Sequence, residues 1–144
     1  MQRSLKIGAP PRGPNGERLC RWCGVEVTPP RRTFCSGHCV VEWNIRSNPG
    51  FARNLVAKRD KGVCARCGLD TREEQFRVYQ LSVEERQIFE KREHLSHRSS
   101  WWDMDHILPV HQGGGCCGLT NLQTLCWRCH HDKTRENRAG KLES

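Results

Sequence analysis

The sequence predicts a small α+β domain stabilised by zinc, with a zinc module at its N-terminal end and a helical insertion, and three observations predict it. All ten cysteines fall into short pairs, Cys20/Cys23, Cys35/Cys39, Cys64/Cys67, Cys116/Cys117 and Cys126/Cys129. Only 35% of the 144 residues are hydrophobic and the mean hydropathy is −0.77, too little oil for a core to hold the chain unaided. The stretch from Trp101 to Asn137 then reads as strand, glycine-rich loop, strand and helix.

Residues 1–19 are rich in Pro, Gly and basic side chains and are expected to form a flexible tail. They lack the apolar h-region of a secretion signal, so the chain is expected to be intracellular, where thiols stay reduced and paired cysteines suit metal better than disulfides. No apolar run approaches the roughly 20 residues of a membrane span, so a soluble protein is expected.

Residues 20–60 are read as a zinc module with linking helices. Cys20-Arg-Trp-Cys23 and Cys35-Ser-Gly-His38-Cys39 supply four thiols, with Cys39 favoured over His38 as the last ligand. Val40 to Arg46 reads as a helix broken at Asn48-Pro49-Gly50, and a second runs from Phe51 to about Asp60.

Residues 61–138 form the second expected unit. Cys64-Ala-Arg-Cys67 and Cys126-Trp-Arg-Cys129 are two knuckles, each turning both sulfurs toward one point, so one tetrahedral zinc would clamp the ends of the segment between them. Four sulfurs leave no open position for water, which makes both zincs structural. Adjacent Cys116 and Cys117 cannot easily share one ion and are read as loop thiols. Within the charged insertion, residues 69–100, Ser82 and Glu85 form a capping box opening a helix to about Leu95, with Ile88 and Phe89 as its buried contacts. Residues 139–144 are read as a second tail.

Twenty-four Lys and Arg against sixteen Asp and Glu give a formal charge of +8, which points to a polyanionic partner. Two zincs on eight thiolates lower this to about +4, still basic. Charge alone fits nucleic acid or a solvated surface equally.

The C-terminal motifs are more specific. Asp105-His106-Ile107-x-Pro109, Asn121-Leu122-Gln123 and Leu125-Cys126-x-x-Cys129-His130-x-x-Lys133-Thr134 resemble, in order and spacing, the HNH or ββα-metal nucleases. More narrowly, Trp102-x-x-Asp105-His106-Ile107-x-Pro109-Val110, Gly113-Gly-Gly115 and Phe34-Cys35-Ser36 are similar to the C-terminal HNH domain of annealing helicases that carry a RAN-binding-type zinc finger. The resemblance spans about Cys20 to Arg138 and is weakest over 69–100. Those helicases carry a motor that this chain is too short to hold.

The resemblance implies a ββα-metal core and an endonuclease that hydrolyses DNA to 5′-phosphate and 3′-hydroxyl ends, possible substrates including branched or forked DNA. His106 takes the role of general base, an imidazole titrating near neutrality being suited to it. Asp105 and His130 match the positions that hold one catalytic divalent ion, Mg²⁺ or Mn²⁺, while Asn121 would orient the His106 ring or the loop around it. Asp105 and His106 would point to opposite faces of a regular strand, so the strand is expected to be irregular there, with Pro109 and the glycine loop making a strand end or a bulge. Lys133 and Arg135 would contact phosphates or simply solvate a helix face, with Arg46, Arg53, Lys58 and Arg59 extending the track. The implied partners are DNA and a helicase motor on the same or another chain, with no membrane, in the nucleus of a eukaryotic cell. The rival reading is a non-catalytic, zinc-stabilised nucleic-acid-binding module, since a scaffold can lose its chemistry and keep its charge.

Overall fold

The computed structural model describes residues 11–142, and among them no helix is long and apolar enough to cross a membrane. By internal contacts the chain divides into one unit ending at Asn48 and another beginning at Pro49.

In the first unit the expected tail lies partly outside the described residues, and residues 11–19 are ordered into a turn. Arg12 bridges Arg18, and the Glu26 carboxylate accepts bonds from Asn15 N at 2.7 Å and Asn15 Nδ2 at 2.8 Å. A polar, glycine-containing segment is thus ordered by one acidic side chain that composition does not single out. Helix α1 spans Gly37–Ser47 and begins where Ser36 Oγ accepts the Cys39 N–H at 3.2 Å, a side-chain N-cap. Cys20, Val27 and Cys39 form a small buried cluster with Phe34 and Cys35 against it, too little apolar surface to order a unit without a metal.

Helix α2, Pro49–Asp60, opens the second unit. Pro49 breaks α1 but suits the first position of α2, where its missing N–H would find no helical partner anyway. Two strands, β1 at Trp102–His106 and β2 at Leu122–Cys126, pair antiparallel from Trp102↔Cys126 to His106↔Leu122. Helix α5, Trp127–Leu142, follows β2 directly and packs on both strands, giving the ββα core. Because its contacts are with β2, α2 belongs with this unit and not with the zinc module to which the sequence assigned it.

Alternation along the strands sorts their side chains to two faces. Toward α2, Thr124 Oγ1 donates to Asp60 Oδ2 at 3.0 Å and the Arg53 guanidinium lies 3.8 Å from the Trp102 ring centroid. Arg59 reaches across to the carbonyls of Leu119 at 3.0 Å and Leu122 at 2.6 Å. Arg53, through its bond to the Trp102 carbonyl, and Arg59 are therefore staples between α2 and the sheet. Arg46 is also engaged, pairing with Glu42 at 2.7 Å and stacking over Trp22.

The insertion holds two helices, α3 at Thr71–Tyr79 and α4 at Val83–Arg92. Asp70 caps α3 by accepting the Arg72 and Glu73 amides, and the Ser82/Glu85 capping box opens α4 as the sequence predicts. Both helices lean on Trp101, which is fully buried and meets Tyr79, Phe89 and Trp127 at ring distances of 6.1, 5.6 and 5.5 Å. Val78, Leu95 and Leu125 complete this core beside Cys64 and Cys126. Phe89 thus packs inward, but Ile88 is 66% exposed. A helix that buries one aromatic on one side leaves its next residue, about 100° around, facing water.

Candidate metal centres and active site

Two thiol clusters stand out from the geometry. The sulfurs of Cys20, Cys23, Cys35 and Cys39 lie within 4.8 Å of one another, as do those of Cys64, Cys67, Cys126 and Cys129. Either set could hold one tetrahedral ion. Gly24 and Gly68 sit directly after the first knuckle of each cluster at φ +76° and +77°, and their amides return to the carbonyls of Cys20 and Cys64 at 2.9 Å each. Cys-x-x-Cys-Gly is therefore one folding signal, the glycine supplying the left-handed turn that a side chain resists. His38 is exposed and outside its cluster, and Cys116 and Cys117 join neither.

The clusters also carry the electrostatics of a cation site. Burial raises the Cys20 thiol, yet the backbone amides of Cys23, Cys35 and Trp22 outweigh it and bring it down to about 6. Burial likewise raises Cys64, and amides around Cys126, Cys67 and Arg66 lower it to about 7. Cys35 is pushed up to about 12, first by its contact with Cys23, and burial drives Cys129 up as well. Four thiols this close resist shared ionisation unless a dication lies among them, so the donor chemistry fits zinc.

Beside the second cluster, α5 faces β1 with a repeated pairing. Asp103 and Asp105, two apart on the strand, share a face, and His130 and Lys133, three apart on the helix, answer them. His130 Nδ1 lies 3.1 Å from Asp103 Oδ2, whose other oxygen accepts Arg98 Nη2 at 2.8 Å. Asp105 Oδ2 accepts Gln123 Nε2 at 2.9 Å and the Lys133 ammonium, which also reaches the carbonyls of His106 and, at 3.4 Å, Ile107. Lys133 consequently turns toward the end of β1, where oxygens of Asp105, His106 and Ile107 surround its ammonium. Asp105 and His130 thus each take a partner across the facing surfaces of β1 and α5, in two separate pairs.

The pairing of β1 and β2 stays one-to-one through His106↔Leu122, so of the two departures expected at the Asp105/His106 pair, a bulge or a strand end, the bulge does not occur. His106 instead ends the strand. Its ring is half-buried and makes no hydrogen bond or ion pair among the described residues, while the chain turns away immediately after it. Asn121 fixes that turn. Its Oδ1 accepts the Leu108 amide at 2.8 Å, and its Nδ2 donates to the carbonyls of Leu108 and Gly114 at 3.2 Å each. A Cβ on Gly114 would lie 1.9 Å from the Leu108 carbonyl oxygen, so glycine is required for this closure. His111 is exposed in the loop, and His131 is exposed on α5 beside Asp132.

A basic groove opens from the Asp103–His130 pair between α5 and the end of α4. Arg128, Arg135 and Arg138 line one side along α5, with Arg92 and Arg98 opposite. Arg128 is tied at 2.8 Å to Glu93, which also accepts Trp127 Nε1 at 3.1 Å. These partners, Arg128 first, hold the Glu93 carboxyl down at about 2. Arg135 and Arg138 remain exposed and form no ion pair among the described residues.

Sequence reasoning assigned no role to Asp103, Gln123 or Arg98. The signal available was the Asp-x-Asp spacing on a strand set against His-x-x-Lys on the following helix.

Comparison with known proteins agrees with this geometry. Residues 91–136 match the HNH endonuclease family. The DNA annealing helicase and endonuclease ZRANB3 of Mus musculus is 33% identical over 144 aligned positions, covering 84% of this chain and 14% of that protein. The Homo sapiens ZRANB3 is 34% identical over 115 positions, 70% of this chain and 11% of its own length. This chain therefore spans a small part of the relatives it matches. The crystal structure of the human ZRANB3 HNH domain aligns with a TM-score of 0.50 at 28% identity, covering 69% of this chain and 99% of that one.

Proposed function

With residues 91–136 belonging to the HNH endonuclease family, we propose that the chain is a metal-dependent DNA endonuclease that hydrolyses a phosphodiester to 5′-phosphate and 3′-hydroxyl ends. The observation that carries this reading is the family match over residues 91–136, which includes Asp105, His106, Asn121 and His130 on one ββα core. Asp105 and His130 would hold Mg²⁺ or Mn²⁺, which when bound supplies a Lewis acid for the charge gathering on the phosphate and the leaving 3′ oxygen.

His106 takes a proton from water as the water oxygen bonds to phosphorus. The bond from phosphorus to O3′ breaks, the 3′ oxygen takes a proton from solvent water to become the hydroxyl, and the proton gained by His106 returns to solvent. An imidazole with no protein partner, at a strand end beside an open turn, is free to meet that water. Asn121 keeps the turn at Leu108 folded, so that the ring is presented from a fixed backbone. Arg135 and Arg138 receive the phosphates that flank the reacting one, and branched or forked DNA is the substrate class suggested by the relatives' pairing of annealing helicase with endonuclease. On this reading the chain works with a helicase motor, on the same or another polypeptide, and in the nucleus of a eukaryotic cell. The two thiol clusters carry structural zinc.

The test is incubation of zinc-loaded protein with supercoiled plasmid and forked DNA, with Mg²⁺ or Mn²⁺ added, beside a His106→Ala variant of equal zinc content. Metal-dependent nicking absent in the variant is the expected result. Binding without cleavage of any substrate would replace the nuclease with the non-catalytic zinc module.

A further inference from the structure

We propose that the cavity beside the end of β1, walled by Ile107, Leu122 and Val63, takes the unpaired base of the nucleotide that adjoins the scissile phosphodiester. The inference rests on the nuclease reading above and adds to it a feature of the substrate, a base free of its partner next to the cut.

The cavity measures about 430 Å³, within the range of small-ligand sites, and is lined from the end of α2, the Cys64 knuckle and the start of β2. Two of its walls are immediate neighbours of His106. Ile107 follows it in the chain, which puts their Cα atoms about 3.8 Å apart, and Leu122 is its partner across the sheet. A phosphodiester attended by His106 therefore has its adjoining nucleotide, about 3.4 Å further along a stacked strand, within reach of Ile107.

What the cavity offers narrows its occupant. Its two charged residues are spent on each other and on the fold, Asp60 accepting from Arg59 and from Thr124 Oγ1, and Arg59 donating also to the carbonyls of Leu119 and Leu122. A phosphate would meet no unpaired cation among the lining residues. The outer edge of β2 is closed as well, because the Leu122 N–H bonds to the Leu119 carbonyl and the Thr124 carbonyl accepts the Ala65 amide at 2.8 Å. An added peptide strand would find no ladder to join. What remains is aliphatic wall, with Ile107 51% and Val63 38% exposed, beside the exposed side chain of Thr120. A nucleobase matches that surface, being flat and neutral with apolar faces and a polar edge. Drawing a base out of the stack costs least when it is already unpaired, as at a fork.

The experiment uses the full chain, zinc-loaded, in a His106→Ala background. It reads Kd for forked DNA by fluorescence anisotropy while a single abasic site steps through the nucleotides on either side of the junction. Removing the base that enters the cavity should weaken binding about tenfold at one position or two adjacent ones, and about twofold or less elsewhere. Adding Ile107→Ala should cut that penalty to about threefold or less, since a contact already lost from the protein cannot be lost again from the DNA. Val63→Ala repeats the test if Ile107→Ala loses zinc. In the wild type with Mg²⁺ or Mn²⁺, the cut should border the same nucleotide. A scan with no position-specific loss overturns the proposal. So does a full penalty retained in both Ile107→Ala and Val63→Ala, or a cut that does not border the sensitive nucleotide. A position-specific loss relieved by Ile107→Ala, in a chain whose wild type cuts no DNA, would leave the cavity as a base site and overturn only the nuclease reading beneath it.

Discussion

Replacing Asn121 with Ala should open the turn after β1 while leaving the strand pairing closed. The side chain makes three hydrogen bonds, one from the Leu108 amide and two to the carbonyls of Leu108 and Gly114. Each is partly exposed, so a net worth of about 0.5–1 kcal/mol apiece applies, roughly 1.5–3 kcal/mol in total. At 1.4 kcal/mol per decade that is roughly a ten- to hundredfold rise in the population of the opened turn. The Leu108 amide reports it directly by hydrogen exchange. A neighbouring amide supplies the control, because the Ile107 N–H bonds at 2.8 Å to the backbone carbonyl of residue 121, which the substitution leaves in place. Leu108 should therefore exchange roughly ten- to hundredfold faster and Ile107 at its wild-type rate. Wild-type exchange at Leu108 would refute the clamp. Equal acceleration at both amides would show the strand end failing as a whole, and Asn121→Asp, which keeps an acceptor but loses both donated bonds, should fall between.

Removing zinc with a chelator should abolish the near-ultraviolet dichroism of the tryptophans, since Trp101 and Trp127 pack against Cys64 and Cys126; packing that outlives the metal would deny the clusters a structural role. Trp101→Ala should cost about 3–5 kcal/mol in denaturant unfolding at saturating zinc. Trp101→Phe should cost less, partly because the buried Nε1 finds no acceptor among the described residues, and a loss equal to that of Ala would contradict the stacking assigned to this ring. Arg135→Gln with Arg138→Gln, in a His106→Ala background, should lower the slope of log Kd against log salt on duplex DNA by about 2. An unaltered slope would remove the α5 groove from the DNA path.

The chemistry of this chain was legible where a residue type and a spacing coincide. The knuckles with their trailing glycines, the capping box at Ser82 and the strand-loop-strand-helix order are local patterns with local causes, and the structure forms them. What the sequence hid was the choice of partner. Arg53, Arg59 and Lys133 read as surface cations, but each finds backbone carbonyls across a tertiary contact and is consumed there. Asp103 reads as one more acidic residue until α5 brings His130 opposite it. Helix α3 has few apolar residues at helical spacing, and its plainest cue is the Asp70 cap followed by Glu73 and Glu74. Ile88 is the reverse case, an apolar residue on a helix too polar to bury more than one side.

The second thiol cluster joins Cys67 to Cys126, 59 positions apart, and everything in the insertion lies inside the ring that such an ion would close. A ring pinned at its base becomes an anchorage for cargo. The turn at Gln80–Ser82 between α3 and α4 is exposed, and chain added there lengthens a loop whose closure cost grows only logarithmically, about 0.6 kcal/mol per doubling. A peptide tag, or a whole folded module with neighbouring termini, could be grafted at that turn without altering the sequence of either knuckle, the β strands or α5.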